Sequence, residues 1–223
     1  MIRKYDLVLF DLDGTLLDTV DDMHGCMAYA LRSLGYPERS REEIRSFVGN
    51  GIRKLAQRSL PDELQGDDAE VERLMNVYVE YYSAHSMEKT RPFAGIPELI
   101  AELNENGVCC GVLSNKNDDM TAVMIRHYFG DAFGAVWGKK AEYPRKPDPT
   151  SVYALIRAFG CTPERTAYVG DSEVDIRLSE NAGIDGLIVS WGFRSHDQLT
   201  AQGAKALADD VRQLRDLLLS EKE

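Results

Sequence analysis

The sequence has little cysteine or histidine, and what it has forms no ligand pattern. Each type occurs four times in 223 residues. Cys26, Cys109, Cys110 and Cys161 include no C-x-x-C pair, and two are adjacent in an apolar segment. Buried, reduced thiols are therefore expected rather than disulfides or a zinc site. His24, His85, His127 and His196 are scattered, without the H-E-x-x-H spacing of zinc hydrolases. A long apolar run is also missing. Behind the charged start of the chain, Leu7-Val8-Leu9-Phe10 is too brief for a signal-peptide core or a membrane span, so a cytoplasmic protein is expected. Positive charge is scarce too: 26 Lys and Arg stand against 37 Asp and Glu, a net charge of −11. That sign excludes a surface built to coat nucleic acid or an anionic membrane, and an anionic small molecule would have to be held by local cations or a metal.

What is present is the balance of an ordinary globular protein, 43% hydrophobic and 28% charged, with a length that fits one core carrying a smaller insert. Leu7–Phe10 is continuously apolar and ends in Asp11, as expected of a strand buried on both faces of a parallel sheet. Short apolar runs recur at Val108–Leu113, Ala135–Trp137, Thr166–Val169 and Gly186–Ser190, separated by helical periodicity. The pattern predicts a doubly wound, Rossmann-like α/β core. Pro97 fits a first helical turn, Gly107 and Gly160 fit helix ends, and Ser195 to Gln198 fits a capping box.

Between Leu16 and Lys89 the alternation stops. Met23, Met27, Ala30, Leu31 and Leu34 repeat at helical spacing, Ser40 with Glu43 forms a capping box, and Val71–Tyr82 is a second helical pattern. Residues 16–89 are therefore expected to form a helical insert, with 1–15 and 90–223 as the α/β core. Arg91-Pro92-Phe93-Ala94-Gly95 is the expected return hinge.

Asp11-Leu12-Asp13-Gly14-Thr15 follows the first strand, at the carboxyl end where ligands bind in open α/β sheets. By background frequencies D-x-D-G-T arises in roughly one chain of this length in 500, too rarely for a chance turn to be the better reading. A turn explains Gly14 and one Asp, but not two carboxylates at one mouth. Such a pair suits phosphoryl transfer: one carboxylate attacks phosphorus, and the second protonates the leaving oxygen and then activates water. Two anions repel a phosphate, so cations are required. Gly170-Asp171-Ser172-Glu173-Val174-Asp175 offers carboxylates suited to Mg²⁺. Lys146-Pro147-Asp148-Pro149 supplies a cation, and Ser114-Asn115-Lys116, ending the strand Val108–Leu113, supplies donors. Each of these three is weak alone.

Taken in order, the motifs resemble those of the haloacid dehalogenase superfamily, and the insert resembles its helical C1 cap. Within it the chain is most similar to the phosphoglycolate phosphatase group, through Phe10–Leu16, Val48-Gly49-Asn50-Gly51, Ser114–Lys116, Arg145–Pro149 and Val169–Ser172. The resemblance implies Asp11 as nucleophile and Asp13 as acid and base. It implies Mg²⁺ on Asp11, the carbonyl of Asp13 and Asp171, with Asp175 supporting, and Ser114 and Lys146 on the phosphoryl group. Thr15, Asn50, Arg53, Asn115 and Lys116 are the remaining expected substrate contacts. The expected substrate is a small phosphorylated metabolite, 2-phosphoglycolate first. A β-phosphoglucomutase-like sugar phosphomutase, a pyrophosphatase and a 5′-nucleotidase remain alternatives, although Gly170 stands where mutase relatives often carry an acid. Phosphonate hydrolases use a cap lysine, and 16–88 contains only Lys54. A phospho-receiver module has no need of Asp13 or of a cap. Monomer and homodimer are both compatible with the sequence.

Overall fold

Four consecutive side chains of β1 (Leu7–Phe10) are fully buried, which places the strand in the middle of a sheet with both faces covered. A computed structural model describes residues 3–220 of the chain; the ends of the expected core, 1–2 and 221–223, lie outside the described residues. The chain forms two compact units, one from the residues up to Leu17 and from Pro92 onward, the other from Asp18–Arg91. The two passages between them, β2 (Leu17–Asp18) and β3 (Arg91–Pro92), pair as a short ribbon.

The second unit is helical: α1 (Val20–Ser33), α2 (Arg41–Phe47), α3 (Ile52–Ser59) and α4 (Asp68–His85). The Ser40–Glu43 capping box forms at the start of α2. Gly49-Asn50-Gly51 turns between α2 and α3, with φ of 118° at Gly49 and 83° at Gly51, a region that a side chain would strain. Asp22 is buried in α1, and its carboxylate accepts from the backbone N–H groups of Lys89 and Thr90, tying the returning chain to its own unit.

The first unit continues with α5 (Ile96–Glu105), β4 (Cys109–Asn117), α6 (Asp118–Phe129), β5 (Ala135–Lys139) and α7 (Thr150–Ala158). It ends with β6 (Thr166–Gly170), α8 (Glu173–Ala182), β7 (Asp185–Val189), α9 (His196–Ala201), β8 (Ala206–Ala208) and α10 (Val211–Leu219). Six strands form one parallel sheet in the order β5-β4-β1-β6-β7-β8. This is the expected doubly wound α/β fold. Strand order reverses at β1, so its carboxyl end opens between those of β4 and β6, the switch point at which such sheets bind ligands.

Two sequence expectations need correction. β4 does not stop at Leu113: after a register shift it pairs again with β5 at Asn117↔Lys139, so Ser114–Lys116 lie inside the strand. Apolarity ends at Leu113 because the last residues of β4 stand at the polar switch point rather than in the core. Cys109 opens β4 exposed and Cys161 is half-buried, so only Cys26 and Cys110 are buried, although all four thiols are free. β8 is too short and too weakly patterned to have been expected. No described helix is long and apolar enough to cross a membrane.

Candidate active site

β1 delivers Asp11 to the switch point, and the turn behind it is built by its own backbone. The amides of Thr15, Leu16 and Leu17 all bond the Leu12 carbonyl, and Gly14 N–H bonds Leu17 O. Gly14 has φ of 84° and presses against Asp171 and Phe193, so a side chain there would be both strained and overlapping. β6 delivers Asp171 in the same way. Asp175 follows at the start of α8, where Ser172 and Asp175 close a capping box that holds Asp175 Oδ2.

Asp11, Asp171 and Asp175 each offer an oxygen, and these oxygens lie within 4.8 Å of one another. Lys146 pairs with two of them. Lys146 Nζ is 2.9 Å from Asp11 Oδ1 and 2.8 Å from Asp175 Oδ1, and it donates to the Tyr168 hydroxyl at 2.8 Å. Its three protons are thereby accounted for. The Tyr168 hydroxyl spends its own proton on the Leu113 carbonyl at 2.8 Å, so it meets Lys146 as an acceptor. Lys146 thus orients the nucleophile candidate and balances charge; to touch a phosphoryl group it would have to give up one of these partners.

Burial first, and the mutual repulsion of the carboxylates after it, shift the pKa values of this cluster. Burial pushes Asp11 up to about 6 against the charge of Lys146. Asp171 is driven well above the carboxylate range, by burial first and then by Asp175 and Asp11. Burial opposes the Lys146 charge, yet Asp11 and Asp175 carry that group up to about 12. All-oxygen donors at this spacing, with surplus negative charge, fit a hard divalent cation such as Mg²⁺. A folded-state pKa above the unfolded one means that folding holds a proton the unfolded chain has released, so stability falls as pH rises through that interval. In EDTA, chemical denaturation should therefore show less stability at pH 7 than at pH 5, and a saturating divalent cation should remove or reverse the difference. A rise in stability from pH 5 to 7 in EDTA would contradict the coupling.

The other expected residues fall into place less uniformly. Ser114 is buried; its oxygen accepts the Lys116 amide at 3.2 Å, and its own proton has no protein acceptor among the described residues. Lys116 does not stand free for substrate: Nζ lies 3.0 and 3.1 Å from the two carboxylate oxygens of Asp13. Asn115 is committed to the Lys146 backbone, accepting its N–H at 3.0 Å and donating to its carbonyl at 3.3 Å, and so positions the lysine loop. Thr15 is fully buried and donates to Asp171 Oδ1 at 3.4 Å. In the helical unit, Arg53 pairs with Asp68 at 2.5 Å and Glu72 at 2.9 Å. Asn50 accepts from Arg58 through Oδ1, while its Nδ2 is the one buried side-chain nitrogen or oxygen left without a partner among the described residues.

Comparison with known proteins follows the same lines. A family model described as haloacid dehalogenase-like hydrolase matches residues 8–189, most of the chain. The chain belongs to the haloacid dehalogenase-like hydrolases. It is 32% identical over 216 residues to phosphoglycolate phosphatase 1 of Pseudomonas aeruginosa, covering 95% of this chain and 78% of that one. Against phosphoglycolate phosphatase of Pseudomonas putida the figures are 30% over 212 residues, 93% and 78%. A solved structure of a candidate phosphoglycolate phosphatase from Lactobacillus delbrueckii subsp. bulgaricus superposes with a TM-score of 0.93 at 31% identity, covering 98% of this chain and all of the other. Sequence reading of this hydrolase missed Tyr168 and the loop Trp191–Arg194. Tyr168 lies within the strand run Thr166–Val169, and the loop carries no charge pair or spacing of its own; its signal is its place after β7, on the edge that also carries Asp11 and Asp171.

Proposed function

We propose that this hydrolase is a Mg²⁺-dependent phosphatase that cleaves a small phosphomonoester, 2-phosphoglycolate first among candidates, through an aspartyl-phosphate on Asp11. The observation that carries the reading is the placement of Asp11 between a buried lysine and two further carboxylates, with Asp13 separately held by Lys116. Both hydrogen bonds to Asp11 go to Oδ1, from Leu12 N–H at 2.7 Å and from Lys146, which leaves Oδ2 for attack. As the Oδ2–phosphorus bond forms, the bond to the leaving oxygen breaks, and the Asp13 carboxyl gives that oxygen a proton. Asp13 then takes a proton from water, which attacks phosphorus, releases inorganic phosphate and regenerates the Asp11 carboxylate. Ser114 donates its unspent proton to a phosphoryl oxygen. Asp11, the carbonyl of Asp13 and Asp171 would hold Mg²⁺, with Asp175 in support, and the ion would supply charge neutralisation at the phosphoryl oxygens.

Hydrolysis is favoured over the mutase alternative by one further contact. Any side chain at Gly170 would overlap the Asp175 carboxylate, so the acid often found there in mutase relatives has no room here. The testing experiment is phosphate release across a panel of phosphorylated metabolites, with Mg²⁺ and then with EDTA. Release from none of them, or full activity in EDTA, would overturn the reading.

Asn50 and Arg53, the expected substrate contacts in the helical unit, are tested separately. Arg53 would have to exchange Asp68 and Glu72 for a substrate anion; exposed pairs of that kind are worth about 0–1 kcal/mol, so exchange is cheap but returns little. Asn50 Nδ2 has no partner among the described residues to give up. Asn50→Ala should lower kcat/KM for phosphoglycolate by roughly 10- to 100-fold, the scale of one charge-assisted hydrogen bond, and Arg53→Ala by less than roughly 10-fold. Neither should affect p-nitrophenyl phosphate, which has no second anion, to the same degree. Equal losses on both substrates would assign these residues to the folding of the unit instead.

A further inference from the structure

Asp171 is gripped from two sides by loops distant in sequence. On one side lie Gly14 and Thr15 of the D-x-D-G-T turn, with the Thr15 hydroxyl 3.4 Å from Oδ1. On the other, the Phe193 amide donates to Oδ2 at 2.6 Å. Gly192 completes the clasp: a methyl group there would overlap Asp171 Oδ2 and the Gly14 carbonyl together. The two loops are joined directly, because Trp191 Nε1 donates to the Thr15 carbonyl at 3.2 Å. The same turn carries Asp11, so the indole links the backbone that places one carboxylate to the loop that orients another.

We infer that Trp191, Gly192 and Phe193 form a positioning loop for the divalent cation, fixing Asp171 through the Phe193 amide and holding its register to the Asp11 turn through the Trp191 indole. The inference rests on the metal reading above. Its physical basis is that a carboxylate with one oxygen committed to an amide keeps the other in a fixed direction. Both Trp191 and Phe193 are positioning residues, since the indole N–H and the amide act on the Asp11 turn and on Asp171 as hydrogen-bond donors.

The test is Mg²⁺ titration of the whole chain by calorimetry, alongside thermal unfolding in EDTA. Trp191→Phe keeps an aromatic ring and removes the N–H; Gly192→Ala adds the methyl for which there is no room. Trp191→Phe should weaken Mg²⁺ binding by about 10-fold and Gly192→Ala by about 100-fold, the range seen when groups orienting metal ligands are removed. The Trp191→Phe melting temperature in EDTA should stay near that of the unaltered chain, a combination that a merely structural tryptophan would not give. Asp171→Ala serves as the control. If Mg²⁺ binding is lost in Asp171→Ala and unchanged in both loop variants, the loop inference falls and the metal site stands. If the unaltered chain binds no Mg²⁺, or Asp171→Ala binds it normally, the metal site itself is wrong and the loop inference falls with it.

Discussion

Asp11→Asn should reduce phosphate release by a thousandfold or more, on the order expected when a nucleophile is removed. The replacement is nearly isosteric, and its amide oxygen can still accept from Lys146 and Leu12, so the site keeps its shape. One buried negative charge disappears from a cluster that has too many. Stability in EDTA at pH 7 should therefore hold or rise, which separates loss of chemistry from loss of fold. Mass spectrometry after rapid quenching should find no phosphorylated chain. Asp13→Asn, in contrast, should still accumulate a phosphoryl group on Asp11 from p-nitrophenyl phosphate, whose leaving oxygen needs little protonation, because the water step lacks its base. Turnover surviving in Asp11→Asn, or a phosphoryl group found elsewhere, would remove Asp11 from its role.

The second large effect is expected from Lys146→Met. The lysine side chain is only 4% exposed and Asp175 beside it is fully buried, so the substitution leaves buried carboxylates without their cation. Breaking such a pair by removing one partner costs about 3–5 kcal/mol, far more than the pair contributes relative to an apolar replacement of both. The loss should be read by denaturation in EDTA at pH 7.5. It should shrink at pH 5, because Asp11, pushed up to about 6, is then largely protonated in the folded chain and has less need of the ammonium. Mg²⁺ should restore part of the stability if the proposed site holds it, because an ion bound by the folded chain and not by the unfolded one shifts the balance toward folding. A loss that is the same at both pH values and indifferent to Mg²⁺ would mean that Lys146 matters for packing alone.

Local chemistry was legible in the sequence wherever neighbours in the chain decide it. The continuous apolar run of β1 required burial on both faces. The Ser40–Glu43 and Ser195–Gln198 boxes and Pro97 mark helix starts by bonds or dihedrals closed within one turn. D-x-D-G-T places two carboxylates at one strand end without any help from the rest of the fold. These features determined the α/β class, the helical insert and the candidate nucleophile.

How each polar group spends its hydrogen bonds was decided only by the tertiary structure. Lys146 could be chosen as a cation from its motif, but that its protons go to Asp11, Asp175 and Tyr168 follows from β6 lying beside β1, a pairing of residues more than 150 positions apart. The same holds for Lys116 on Asp13, for Asn115 on the Lys146 backbone, and for Arg53, expected to contact substrate and found between Asp68 and Glu72. Trp191 and Phe193 show the limit most clearly. Phe193 contributes a backbone amide, which every residue except proline possesses, so its residue type carries no signal, and the Trp191 indole N–H gains its acceptor only through the fold. Donors and acceptors acquire a role when the fold brings a particular carboxylate within 3 Å, and that distance is a property of strand order rather than of any sequence window.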